Sequence, residues 1–321
     1  MIKKIFSIFH TLGVWNAYKL ITYKEVLKLP NLSFLSKLKI QRKKHNIILN
    51  FIEHKLAIAK RYDFYPQDPN MVYCEKTRSE IPPNTIWFFW WQGEEGMPPI
   101  VRRCYERAKE KTANWNLILL TKGNLSSYLK IPECVLELGG GGKKSFTHLS
   151  DYVRLNLLAE YGGLWLDSTF YLTEQLPSIE SFGEFYTVKN YAKDNICVAE
   201  YRWFVSLLYT KAGSSYLKHI RNMFCYNWMH YDYIVDYLLM DYLFEYEQAH
   251  NAHFCDLLDQ LAYNNPDVIT LSRIINNAFS ETKWKQIKKK TFCYKTTYKV
   301  AHKTEVDGKP TYYKKLINGE L

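Results

Sequence analysis

Two linked stretches decide how this chain is read: Ser150-Asp151-Tyr152-Val153-Arg154, and then Tyr161-Gly162-Gly163-Leu164-Trp165-Leu166-Asp167-Ser168-Thr169. Around the first, Leu149, Val153, Leu157 and Leu158 recur at helical spacing, Ser150 is a candidate cap and Gly162-Gly163 is a stop. A helix is therefore expected over 149–161. Leu164–Leu166 reads as a short buried strand ending in Asp167. Asp151 and Arg154 stand at i and i+3, so they share a helix face, and this reading puts them in the helix's first turn. In open α/β sheets ligands bind beyond the carboxyl ends of strands. Asp151, Arg154 and Asp167 are thus expected to converge on one crevice. A strand-end carboxylate can hold a hard divalent cation, and an arginine fork can clamp a phosphate or a hydroxyl. The plainer alternative is a surface Asp151–Arg154 pair beside a strand-ending acid. Any one element alone favours that alternative; the ordered block favours function.

Working outward, Ile81-Pro82-Pro83-Asn84 leads into Thr85–Trp91, a β-branched and aromatic run of strand length. Residues 98–112 have helical spacing, Trp115–Leu120 is a second strand candidate, and Thr121–Asn124 is a turn or a helix start. Strand, helix, strand, helix, strand over about 85 residues is the pattern of a parallel α/β sheet. From about 200 to 262 the pattern is helical and rich in Tyr and Trp. The stretch beyond it is polar, lysine-rich and short in period. Leu138–Lys144 holds four glycines and reads as a mobile loop. A phosphate-binding P-loop is excluded there, because Lys144 follows Gly142-Lys143 where Ser or Thr is required.

Composition excludes other classes. The chain has 321 residues, 47% apolar and 16% aromatic, which rules out disorder. No apolar uncharged run is long enough for a conventional transmembrane helix. The net charge of +11 is polarised: residues 1–61 carry 13 Lys and Arg against Glu25 and Glu53, and the remainder is neutral. Within that remainder, 283–315 holds eleven lysines against Glu305 and Asp307, so the centre is acidic. Seven scattered cysteines, none in C-x-x-C, argue against a disulfide framework or a structural zinc and fit a reducing compartment. His250-x-x-His253 lacks further ligands at helical spacing beyond Asp256 and reads as an exposed helix face.

The first residues resemble a signal peptide until Ser7, His10 and Thr11 break the apolar stretch and no cleavage site follows. Ile5, Ile8, Phe9, Leu12, Trp15 and Leu20 instead suggest an amphipathic helix. A second basic segment (Lys37, Lys39, Arg42, Lys43, Lys44) follows Pro30. The expected organisation is a basic helical region over 1–75 and a catalytic domain over 76–321. The N-terminal helix either packs on the body with a solvated lysine face or lies in the plane of an anionic membrane surface, where each basic residue contributes about 1 kcal/mol. The second reading is preferred.

The block S-D-x-x-R-x(6)-Y-G-G-x-W-x-D-x-T resembles the sugar-binding region of glycosyltransferase family 32 and of the bacterial capsular polysaccharide synthesis proteins, and more distantly the large glucosylating toxins. Ile81 to Gly93, Trp115–Leu120 with Asn124, and Lys295-Thr296-Thr297-Tyr298-Lys299 extend the resemblance over about 80–315. It implies a GT-A fold, that is, a Rossmann-like nucleotide-sugar-binding sheet, here with helical additions at both ends. It also implies a nucleotide-sugar donor with a UDP-sugar favoured, retention of anomeric configuration and a divalent cation, Mn²⁺ or Mg²⁺.

By position, Trp90 would stack on the base, with Trp91 competing for the role and core packing as the alternative. Asn124 would lie near the nucleoside. Asp151 and Arg154 would bind the donor sugar and ribose, and Trp165 would flank the metal motif. Asp167 and Thr169 would be metal ligands. Thr169 stands where the family 32 pattern has a second Asp, a departure that the capsular proteins share and that is not read as inactivation, so a hydroxyl or a distant acid such as Glu281 would have to complete the set. Lys295 and Lys299 would close over the diphosphate as a lid, or else belong to a solvated tail.

The expected activity is transfer of a hexose to a capsular, other surface or lipid-linked glycan, in the cytoplasm at the inner face of a bacterial membrane. A catalytically silent nucleotide-sugar-binding scaffold is the main alternative, kept open by Thr169. A nucleic-acid-binding protein is the other, but no such signature is present and the body is not basic.

Overall fold

The computed structural model describes residues 2–61, 76–132, 135, 145–190, 196–231 and 234–321. The glycine-rich Leu138–Lys144 stretch lies outside the described residues. In chain order the main elements are α1 (Ile2–Leu12), α2 (Val14–Val26), α3 (Phe34–Phe51), β1 (Thr85–Phe89), α4 (Pro99–Lys111), β2 (Asn116–Leu120), α5 (Phe146–Tyr161), β3 (Gly163–Leu166), β4 (Phe170–Leu172), β5 (Phe185–Thr187) and β6 (Leu207–Thr210). There follow α6 (Ser215–His230), α7 (Leu239–His250), α8 (Ala252–Gln260), α9 (Thr270–Ile274), α10 (Glu281–Lys288), β7 (Cys293–Lys295), β8 (Glu305–Val306), β9 (Lys309–Pro310) and α11 (Tyr312–Ile317).

The central sheet has five strands in the order β2-β1-β3-β6-β5. β1 pairs in parallel with β2 and β3, as the strand–helix alternation predicts. β6 runs antiparallel to β3 and β5, so the sheet is mixed rather than parallel throughout. β6 falls inside the stretch read as helical from about 200. A four-residue apolar run carries no period that separates a buried strand from a buried helical turn. The sheet is covered on both faces, and side chains alternate between them. Trp87, Phe89 and Trp165 enter one cluster with the buried faces of α3, α5, α6 and α7. Ile86, Phe88, Leu164 and Leu166 enter the other with α4, β4, β7 and α9.

α5 begins at Phe146, earlier than predicted. The Ser145 side chain, not Ser150, caps it by accepting from the His148 backbone N–H. Asp151 and Arg154 therefore sit in the second and third turns, at 3.6 residues per turn. There they are buried rather than at a solvated helix start.

Gly162 and Gly163 then turn the chain into β3 with φ of 68° and 89°. A Cβ on Gly163 would stand 2.5 Å from the Thr85 carbonyl oxygen across the β1–β3 ladder, and one on Gly162 would meet the Ala212 nitrogen at 2.4 Å. Both positions thus demand glycine for conformation and for space. Gly163→Ala is expected to cost about 2 kcal/mol or more, combining left-handed backbone strain with a backbone clash. A thermal or urea unfolding midpoint indistinguishable from wild type would refute this account of the turn.

The N-terminal region is not a detached appendage. Lys24 of α2 and Lys44 of α3 both reach Asp236, at 3.3 and 3.1 Å. His45 Nδ1 lies 2.7 Å from the Tyr242 hydroxyl. Ile48, Phe51, Ile52 and Leu56 are buried in the same cluster as Trp165. α1 and α2 otherwise leave Phe6, Val14, Trp15 and Tyr18 exposed. No helix among the described residues is long and apolar enough to cross a membrane.

Candidate active site

The parallel strands β1 and β3 end on the same edge of the sheet, and a pocket of about 440 Å³ opens there. Trp90, Trp91 and Gln92 follow β1 into one wall, Phe146 to Arg154 of α5 form a second, and Lys295 to Lys299 form a third. Asp167 to Thr169, just past β3, line it as well. A second cavity of about 280 Å³ adjoins it behind Arg154, lined by Asp151, Asp241, Trp203 and Tyr201 among others.

Arg154 is the centre of the arrangement. It is 4% exposed. Its guanidinium lies 3.1 Å from Asp167 Oδ1 and 3.5 Å from Asp151 Oδ1, and it stacks over the Trp165 ring at 4.9 Å. One further donor reaches Met240 Sδ at 3.6 Å, while Nε has no acceptor among the described residues. Asp167 Oδ1 also accepts from Trp165 Nε1 at 3.0 Å, and Oδ2 accepts from Lys295 Nζ. Burial alone would lift the Asp167 carboxyl; the charges of Lys295 and Arg154 and these hydrogen bonds override it and hold it at about 2. Burial dominates at the other two acids. Asp151 is pushed up to about 7 against the opposing pull of Arg154, and Asp241 to about 6 against the Trp203 Nε1 hydrogen bond. One acid of the three is thus a firm anion and two are poised to hold protons.

The register of the second, two-stranded sheet explains Lys295. β4 pairs antiparallel with β7, and Phe170 lies opposite Lys295. Because Phe170 is three residues past Asp167, that register delivers the lysine to the carboxylate. Lys295 N–H donates to the Val268 carbonyl at 2.7 Å, and Thr296 N–H donates to the Thr169 carbonyl at 2.8 Å. Lys295 is therefore held in a strand, not in the lid or solvated tail read from the sequence. Lys299 is exposed and reaches Thr147 Oγ1 and the Tyr237 hydroxyl, both at 3.4 Å.

The structure brings together Trp90, Arg154, Asp167, Thr169 and Lys295 in the pocket and places Asp151 in the adjoining cavity. Trp90 is edge-on to Tyr298 at 5.2 Å and half-exposed, whereas Trp91 packs against Phe146. Two residues lie elsewhere. Trp165 is 1% exposed and lines neither cavity; it acts through Asp167 and Arg154. Asn124 closes the turn after β2, accepting from Thr121 N–H and donating to the Leu119 carbonyl, both at 2.8 Å. Glu281 pairs with Lys285 on α10 and lines neither cavity. His250 and His253 face Glu53 and Glu184.

Sequence reading missed Asp241, Trp203 and Tyr237. A signal existed for Asp241: it is an acid within an otherwise aromatic and aliphatic helix start, Leu238-Leu239-Met240-Asp241-Tyr242.

The divalent ion that the resemblance implies would take Asp167 and Thr169 as ligands. The donor set does not suit it. Both Asp167 oxygens already accept from Arg154, Trp165 and Lys295, and among the described residues no second carboxylate lines the main pocket. Among the described residues no three His, Cys, Asp or Glu side chains group in a way that could hold a metal ion. Hard divalent ions need several oxygen ligands.

A model of the family described as capsular polysaccharide synthesis protein matches residues 29–316. The O-glycosyltransferase braB of Annulohypoxylon truncatum is 32% identical over 134 residues, 39% of this chain and 32% of that protein. The O-glycosyltransferase PaGT of Phomopsis amygdali is 33% identical over 91 residues, 26% of this chain and 22% of that protein. The match therefore spans about a third of the first relative and about a fifth of the second. No solved structure matches the chain significantly.

Proposed function

The chain belongs to the capsular polysaccharide synthesis protein family, and from that premise we propose that it is a glycosyltransferase of the GT-A type. It would move a hexose from a nucleotide-sugar donor, foremost a UDP-sugar, to a capsular or other surface glycan, free or lipid-linked. The observation that carries this reading is the charge of the main pocket. Among the described residues its charged lining consists of Arg154, Lys295 and Lys299 against the carboxylate of Asp167. That surplus matches a diphosphate, in which each phosphate carries a negative charge. The names of both curated relatives support the same reaction class.

On this reading the donor's diphosphate lies against Arg154 and Lys295 at the carboxyl edge of the sheet, where α/β folds bind nucleotides. Trp90 offers its half-exposed ring to the base. The sugar extends toward the adjoining cavity, where Asp151 and Asp241, lifted toward neutrality, can each donate or accept a hydrogen bond to hydroxyls. Fixed cations facing the leaving group lower the barrier to its departure, because they are already oriented when its charge develops. Asp167 holds both cations in place, and Trp165 holds Asp167. Retention of anomeric configuration is part of the proposal.

The test is nucleotide release from a panel of UDP- and GDP-sugars by the purified chain, with and without surface-glycan acceptors. Release from one donor supports the transferase. If no donor is turned over but one binds by calorimetry, the chain is a nucleotide-sugar-binding scaffold; if none binds, the reading fails.

We further propose that the protein works in the cytoplasm, peripheral to an anionic membrane face. Seven large apolar side chains between Phe6 and Leu35 are exposed: Phe6, Val14, Trp15, Tyr18, Leu29, Phe34 and Leu35. Thirteen Lys and Arg accompany them within residues 1–61. Aromatic rings beside lysines suit the headgroup layer of an anionic bilayer. The protein is expected to float with anionic liposomes at low salt and to lose most of that binding in the Trp15→Ser, Leu35→Ser double variant. Equal flotation of both forms would remove α2 and the start of α3 from this role.

A further inference from the structure

The metal motif that the family 32 resemblance implies does not match the donor set found here. We propose that Lys295 takes the place of the divalent cation, so that this site neutralises the donor's diphosphate without a metal ion. The inference rests on the transferase reading and deepens it.

Three observations carry it. First, the Lys295 ammonium sits on Asp167 Oδ2, the acid that the motif reserves for a metal. Second, the other acid of the motif is absent: Thr169 stands there, and its carbonyl is engaged by the backbone N–H and the hydroxyl of Thr296, both at 2.8 Å. A position that loses a carboxylate and an ion pair that gains a lysine change charge in the same sense, and each makes a bound divalent ion redundant. Third, the lysine is fixed. It belongs to β7, is paired across from Phe170, and its ammonium lies 5.3 Å from the Phe170 ring centre. Its side chain is 27% exposed, so one side remains open to a ligand. A cation that is held in place and partly desolvated can stabilise a leaving anion without reorganising.

Electroneutrality agrees. The described residues of the pocket lining carry three cations and one anion before any ligand arrives. A diphosphate with one charge per phosphate balances the surplus. A divalent ion added to the same pocket would leave it strongly positive and would have to displace Lys295 from Asp167.

In the reaction, the bond between the anomeric carbon and the β-phosphate oxygen breaks and its electron pair leaves on the diphosphate, facing Lys295 and Arg154. The acceptor hydroxyl oxygen bonds to the anomeric carbon, and its proton passes to the departing phosphate oxygen. Atoms and charge balance without a metal or a further co-reactant.

The experiment measures binding of UDP, and in parallel GDP, by calorimetry to the full chain in EDTA and in saturating Mn²⁺. Binding of Mn²⁺ to the free protein is followed by electron paramagnetic resonance. The expected result is nucleotide binding of similar strength in both conditions and no stoichiometric Mn²⁺ on the free wild type. Lys295→Met is expected to weaken nucleotide binding in EDTA about 10- to 100-fold, the loss of one charge-assisted contact to a phosphate. Lys295→Arg, which keeps the charge, is expected to recover most of that loss, which a merely structural role for the strand would not produce. A wild type that binds UDP or GDP only with Mn²⁺, or that holds one Mn²⁺ per chain alone, overturns the inference while leaving the transferase reading intact. Absence of UDP and GDP binding in every condition overturns both.

Discussion

Asp167→Asn is expected to lower nucleotide release from the preferred donor by about 10²- to 10³-fold while leaving nucleotide affinity within about tenfold of wild type, the scale of losing one preorganised electrostatic group. The two effects separate for a physical reason. Asp167 is the single carboxylate among the described residues of the main pocket, and it anchors Arg154 at 3.1 Å and Lys295 through its other oxygen. An amide keeps the shape but not the charge, so both cations lose the partner that orients them. The pocket as a whole becomes more positive, and a nucleoside diphosphate is still attracted to it. Turnover, which needs the cations oriented, falls; binding, which needs only their presence, persists.

The loss should not vary with pH across the neutral range. The Asp167 carboxyl is held at about 2, so wild type carries the full charge throughout. Its folded value lies below the ordinary 3.8, so its contribution to stability is present above 3.8 and is lost as pH falls through about 2. Steady-state kinetics from pH 6 to 8.5 and calorimetry with UDP check this. An unchanged turnover number would remove Asp167 from the chemistry.

Arg154→Met is expected to cost about 3–5 kcal/mol of stability and to abolish donor turnover. Removing one member of a buried ion group leaves the others uncompensated. Here the uncompensated groups are Asp151 and Asp167, and the Trp165 ring loses the cation lying over it.

The deficit should grow with pH. Burial has already lifted Asp151 to about 7, with Arg154 opposing the rise. A raised carboxyl favours folding fully below its unfolded value near 3.8, and that advantage is lost as pH rises through the folded value. Without Arg154 the folded value climbs further, so the native state bears a larger penalty at pH 8.5 than at pH 6. Urea unfolding at both pH values tests the sign; a deficit that shrinks with pH would contradict it. Arg154→Lys is expected to fall between wild type and Arg154→Met, because it keeps the charge and loses the fork that spans Asp151 and Asp167.

Much of this was legible in one dimension. The Leu149–Leu158 stripe, the Gly162-Gly163 stop and the apolar Leu164–Leu166 run are local signals, and α5 and β3 follow from them within a few residues. The i, i+3 spacing of Asp151 and Arg154 fixed their common face, and the strand end fixed Asp167. The cap was misplaced because Ser145 and Ser150 are both competent cappers, and only packing selects between them. β5 and β6 escaped notice because runs of three and four residues are too short to show a period.

What the sequence determined by itself was the parallel β1–β3 edge, the helix that feeds it, the glycine turn that joins them and the crevice where Asp167 and Arg154 meet. The helix, the glycine turn and the strand end depend on residues close in sequence, and the parallel edge follows from the strand–helix alternation, a pattern that repeats along the chain. What only the tertiary structure decided was the company those residues keep. Lys295 comes to Asp167 from 128 positions away through the β4–β7 register. Asp241 comes to the adjoining cavity on α7, and Lys24 and Lys44 tie the N-terminal helices to Asp236. Long-range pairing is set by which buried surfaces fit together, a property of the whole core that no local spacing encodes. For that reason the sequence suggested a lysine-rich tail and a metal motif with a ligand missing, and the fold joined the two into one ion pair.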